Sequence, residues 1–143
     1  MKLCTLILLL AALPVLANAE SYVCVEDQAT GFSFNTTQKV WEKSGFHTDR
    51  KYLVKPNSDT SLQLQGKWIV SQIGHRAPIA WSESDFTSAG ELRFKGPFGE
   101  FAMNKKNLRF VTTYIIGYWT NWFPDEGEFT PFISIGTCSV LEP

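Results

Sequence analysis

The chain has 143 residues, 44% of them apolar and 14% aromatic, which is enough for one domain with its own core. Its 13 basic and 14 acidic side chains give a formal net charge of −1. That balance excludes the basic footprint of a nucleic-acid binder and the polybasic patch of a membrane-surface protein.

The N-terminus reads as a leader. Lys2 supplies a positive start, residues 3–15 form an apolar run broken late by Pro14, and Ala17-Asn18-Ala19 gives a small-x-small cleavage pattern. Cleavage after Ala19 makes residues 1–19 a signal peptide and residues 20–143 a single β domain, periplasmic or secreted. The apolar run is shorter than the ~20 residues a spanning helix needs. No later stretch approaches that length, so no membrane span is expected.

Cys4 leaves with the leader. Cys24 and Cys138 remain, near the two ends of the mature chain. In an oxidising compartment they are expected to form one disulfide joining the first and last strands. Two sulfurs without a nearby His do not make a tetrahedral metal set. No metal and no cofactor is expected.

In chain order the mature sequence reads as strands and turns. Tyr22, Cys24 and Glu26 alternate with Val23, Val25 and Asp27, and residues 31–35 alternate aromatic with small polar side chains. Residues 39–42 and 51–55 are short strands, with Ser44-Gly45 as a turn between them. Asn35-Thr36-Thr37 matches a glycosylation acceptor pattern and reads as a strand-end turn. Residues 56–60 are a loop by composition, and residues 67–73 a strand rich in β-branched and aromatic side chains. Residues 75–90 hold Pro78 and many small polar residues. They read as a long loop with a helical turn at 82–86, Ser82 as its N-cap and Asp85 at N3.

Residues 91–95, 100–103 and 108–119 are strand-like, and the polar run 104–107 joins the last two as a hairpin. Residues 108–119 form the strongest strand. Leu108, Phe110, Thr112, Tyr114, Ile116 and Tyr118 fall on one face, and Gly117 suggests a bulge on the other. Residues 129–138 are the last strand, with Pro131 near its start. About eight short strands with almost no helical periodicity predict an all-β domain, a single antiparallel barrel or sandwich with its termini joined by the disulfide.

Few residues invite catalysis. His47 and His75 have no neighbour at metal-ligand spacing. His75 has Ser82, Ser84 and Asp85 nearby in sequence but no Gly-x-Ser-x-Gly elbow. Asp125, Glu126 and Glu128 are too closely spaced for a calcium loop or a glycosidase pair. Pro124-Asp125-Glu126-Gly127 reads as a turn. The aromatics Tyr118, Trp119, Trp122 and Phe123 are the candidate binding residues. Crowded at one strand end and beside carboxylates, they suit a sugar ring or a protein partner. Their structural alternative is packing that closes one end of a barrel. A non-catalytic binding role toward envelope glycan or an envelope protein follows, with a cell-wall hydrolase using His75 as one rival.

Four patches occur together. They are Tyr22-Val23-Cys24 through Asp27, Ala29 and Gly31-Phe32; Trp41, Phe46 and Lys51-Tyr52; Leu108-Arg109-Phe110 with Tyr114 and Gly117-Tyr118; and Thr130-Pro131-Phe132-Ile133-Ser134-Ile135-Gly136-Thr137-Cys138. The combination resembles small exported proteins of unknown function from proteobacteria and their phages, across most of the mature chain. That resemblance implies no activity and no catalytic residues. Some relatives carry a further cysteine pair mid-chain, which residues 82–94 lack. Tyr22-Val23-Cys24 and Ser44-Gly45 also resemble periplasmic inhibitors of C-type lysozyme, which are small β-barrels. The inhibitory loop of that family has a Tyr shortly after Ser-Gly, whereas Tyr52 here follows Gly45 by seven residues. This resemblance implies a lysozyme-inhibitor-like protein as the other rival.

Overall fold

A computed structural model describes residues 20–58, 66–97, 99–116, 118 and 130–141. The leader and the 119–129 segment, with Trp119, Trp122, Phe123 and the 124–127 turn, lie outside them. The regular elements are strands: β1 (Ser21–Asn35), β2 (Val40–Gly45), β3 (Lys51–Pro56), β4 (Trp68–Gln72), β5 (Pro78–Ser82), β6 (Glu91–Lys95), β7 (Gly99–Asn104), β8 (Arg109–Tyr114) and β9 (Phe132–Leu141). No described helix is long and apolar enough to cross a membrane.

All neighbours pair antiparallel. β1 and β3 to β9 form a closed eight-stranded barrel, because β9 pairs back onto β1. Closure removes the sheet edges that would otherwise be open to another chain. β2 is a ninth strand outside the ring, paired to β1 over residues 30–35. β1 serves both parts. Its first residues pair with β3 from Tyr22 to Val25, and its last ones rise past the barrel as a hairpin with β2.

Cys24 and Cys138 are register partners on β1 and β9, and their sulfurs are bonded. The expected disulfide therefore locks the seam of the barrel. Inward alternation supplies the core: Tyr22 and Cys24 of β1, Tyr52 and Val54 of β3, Val70, Phe94, Phe101 and Phe110 are buried. Phe101 stacks on Phe110 with centroids 5.0 Å apart, and Tyr52 meets both rings edge-on.

Several expectations are corrected. The two strands read at 22–27 and 31–35 are one strand, since Asp27 sits in a register shift that lets pairing to β9 continue. Ser44-Gly45 is the end of β2, paired with Gly31 and Thr30, rather than a turn. The segment 75–90 contains β5. Pro78 is its first residue, where a missing N–H costs no ladder bond. Ser82 closes that strand and caps no helix: its hydroxyl accepts from Ser84 N–H at 3.3 Å. The strand expected over 108–119 stops at Tyr114, because its partners end there. Tyr114 pairs with Gly99, the first residue of β7, and with Phe132, the first residue of β9. The last strand runs Phe132–Leu141, three residues later than read.

The hairpin expected at 104–107 forms with its turn one residue later, at 105–108, since Asn104 still belongs to β7 and β8 starts at Arg109. Asn104 Oδ1 accepts from Lys106 N–H, Asn107 Oδ1 accepts from Arg109 N–H, and Leu108 takes a positive φ of 56°. Asn35 likewise starts a turn, with Oδ1 accepting from Thr37 and Gln38 N–H.

Candidate functional site

Among the described residues, one end of the barrel is filled and the other is open. The filled end is closed by the β5–β6 loop. Phe86 packs against Tyr22 at 5.9 Å and edge-on to Trp68 at 5.0 Å. Asp85 fixes that loop by accepting from Trp68 Nε1 at 3.0 Å and from Lys67 Nζ at 2.9 Å. These two donors hold the Asp85 carboxyl below its ordinary range, Lys67 more than Trp68.

The other end is a cup of about 510 Å³, a size that suits a small molecule or the end of a larger one. Phe101, Ala80 and Thr112 lie deep in it, and Phe46, Tyr114 and Phe132 stand around its mouth. Tyr114 and Phe132 are parallel, with centroids 5.8 Å apart, and Phe46 meets Phe132 edge-on. The Arg50 guanidinium carbon lies 4.0 Å from the Phe132 ring centroid. That geometry suits a cation on a π face.

Arg50 precedes β3 on the inward register of Tyr52. Beneath it is Glu26, whose side chain is wholly buried. Burial of a charge is tolerated when it is paired and hydrogen-bonded. Glu26 Oε1 accepts from Tyr52 OH at 2.9 Å and from Ser134 Oγ at 2.6 Å. Arg50 Nε lies 3.2 Å from Oε2. That contact has ion-pair distance without hydrogen-bond geometry, so Coulomb attraction holds it. The Tyr52 hydroxyl is pushed well above the ordinary tyrosine range, first by burial and then by the Glu26 charge, with Arg50 opposing.

His75 also lines the cup and is exposed, whereas His47 is exposed in the β2–β3 connection. Glu100 borders the cup from β7, but its side chain is on the outward register, and its carbonyl accepts from Thr112 Oγ1 at 3.0 Å. Among the described residues no group of three or more His, Cys, Asp or Glu could hold a metal ion.

Of the four aromatics singled out in the sequence, Tyr118 is described. It is 61% exposed and off the β8 strand. It meets Trp41 edge-on at 5.5 Å, and Trp41 in turn packs on its cross-strand partner Phe34 at 5.4 Å. These rings line the β1–β2 extension beside the cup. The sequence reading missed the cup itself, whose lining is gathered from most strands of the barrel. One signal was legible: strict alternation from Tyr22 through Cys24 places Glu26 inward, and a buried carboxylate needs an inward cation.

No family model matches the chain, and no curated protein or solved structure matches it.

Proposed function

We propose that the chain is an exported, non-catalytic binding protein that takes an envelope component at the open end of its barrel. The carrying observation is the cup: one barrel end is plugged by Phe86 while the other holds a cavity walled by Phe46, Tyr114 and Phe132. Apolar walls around a few placed polar groups are the usual make-up of a ligand site. The Phe34–Trp41–Tyr118 rings beside it would extend contact to a glycan or protein that carries the bound group.

The test compares the mature protein with Ala80→Leu, which fills the cup floor with apolar bulk. Thermal shift with solubilised peptidoglycan fragments and with small aromatic probes should stabilise the wild type, and Ala80→Leu should lose the effect while keeping its circular dichroism. Undiminished binding by a folded Ala80→Leu protein would remove the cup reading. A rival hydrolase reading draws on the place of His75 at the rim. Turnover of a wall substrate that disappears in His75→Ala would establish that reading instead.

A further inference from the structure

We infer that the cup selects a ligand bearing a carboxylate or similar oxyanion on a flat apolar body, and that Arg50 is its anchor. This rests on the cup being the binding site and adds the ligand's chemistry to it. The cup lining combines a cation with stacked aromatic walls. Arg50 keeps 23% of its side-chain surface exposed, whereas its partner Glu26 has none. The ion pair is thus a vertical dipole whose positive end faces the cavity. An anion entering the cup approaches the guanidinium before it meets Glu26.

The arrangement also fixes the guanidinium in place. Its Nε edge is held toward Glu26 Oε2, and its plane is seated on the Phe132 ring. Arginine offers five N–H donors in a rigid fork, so holding the Nε edge leaves the fork pre-oriented for an oxyanion. Pre-orientation lowers the ordering cost of binding. Glu26 is itself held by Tyr52 and Ser134, so the anchor rests on a braced base rather than on a mobile surface side chain.

The walls choose what carries the charge. Tyr114 and Phe132 lie parallel within 6° of one another, and Phe101 and Ala80 make an apolar floor. A planar or aliphatic body buries apolar area there. Among the described residues, the other ionisable side chains lining the cup do not cancel the selection: His75 is exposed at the rim, the Glu100 side chain alternates outward, and Tyr114 is neutral at ordinary pH.

The probes are 2-naphthoate and its uncharged isostere 2-naphthamide, titrated calorimetrically into the mature protein. The wild type should bind one naphthoate per chain, about tenfold or more tighter than the amide, as expected for a charge-assisted contact. The naphthoate advantage should shrink as salt rises. Arg50→Gln should lose that advantage and keep the amide affinity. Arg50→Lys should retain part of it, and provides the reading if the Gln variant does not fold. Equal binding of both probes to the wild type overturns the anion selection and leaves the cup intact as a site. An advantage that survives Arg50→Gln overturns the role of Arg50. Binding of neither probe overturns the inference together with the cup.

Discussion

The Tyr52 hydroxyl donates to Glu26 Oε1 at 2.9 Å, in a spot with no solvent contact for the carboxylate. β3 and β1 are thereby joined by a side-chain bond inside the barrel, and Ser134 joins β9 to the same oxygen. Glu26→Ala takes the acceptor from Tyr52 and Ser134 and the counter-charge from Arg50, and should destabilise the fold by about 3–5 kcal/mol. Ser134→Ala, which leaves Tyr52 on that oxygen, should cost about 1–3 kcal/mol. Because both donors share one oxygen, Tyr52→Phe and Ser134→Ala should be non-additive. Urea unfolding of the wild type, Glu26→Ala, the two single variants and the Tyr52→Phe/Ser134→Ala double variant checks this, and a Glu26→Ala protein as stable as the wild type would contradict it.

The same bond makes stability sensitive to alkali. Burial and Glu26 raise the Tyr52 pKa in the folded state, and burial with Glu20 does so for Tyr22. A group with a raised folded pKa adds stability that is complete below its unfolded pKa, and loses it as pH climbs beyond that point. For tyrosine the unfolded value is about 10. Stability should therefore be flat with respect to these two groups below about pH 10 and fall above it. Tyr52→Phe should flatten part of that fall. Denaturant midpoints from neutral pH to about pH 11.5 measure it, with tyrosinate absorbance as a second reading.

Much of the barrel is legible in the amino-acid sequence. Alternation marks most strands, the Cys24/Cys138 pair marks the seam, and Asn-rich runs mark hairpins. Three features are not. Local composition at residues 78–82 suggests a loop, and only pairing with Trp68 to Ser71 makes it a strand. The end of β8 is set by where β7 and β9 begin, which no property of residues 115–119 reveals. The cup is assembled across the barrel, so Arg50, Phe101 and Phe132 carry no local signature of a shared site. The aromatic reading of Trp119, Trp122 and Phe123 lies outside the described residues. Tyr118 alone can be placed, against Trp41.

The seam disulfide should resist reductant in the native state. Cys24 has no exposed surface and Cys138 is buried, so exchange must wait for the barrel to open. Dithiothreitol with mass-tagged alkylation should label neither cysteine under native conditions and both in urea. The Cys24→Ala/Cys138→Ala protein should lose up to ~4.7 kcal/mol if the chain-entropy account of a loop of this length holds. Rapid native labelling would show that the seam opens on its own.

Asp85 and Phe86 make a second structural prediction, at the filled end. Phe86 is half-buried between Tyr22 and Trp68, so Phe86→Ala should cost about 2 kcal/mol, less than a full core truncation. Trp68 should become more solvent-exposed, read as a red shift and stronger acrylamide quenching of its emission. The cup affinities should not change, because the plug is at the opposite end. A loss of cup binding on this substitution would mean that the two ends are coupled.

Gly136 gives the last prediction, and it connects the closing strand to the core. It faces inward on β9, opposite Glu26 on β1 and Phe110 on β8. A Cβ there would overlap the Val25 carbonyl oxygen and come within 2.5 Å of Phe110 Cε1. The first obstacle is backbone and cannot rotate away. The second is a ring already stacked on Phe101. Gly136→Ala should therefore shift β9 against β1 and cost about 3 kcal/mol, the upper part of the range for overpacked cores. Phe110→Leu in the same chain should recover only the share due to the ring. Thermal melts of the two variants separate these contributions. A Gly136→Ala protein that melts with the wild type would show that the β1–β9 seam is looser than its register implies.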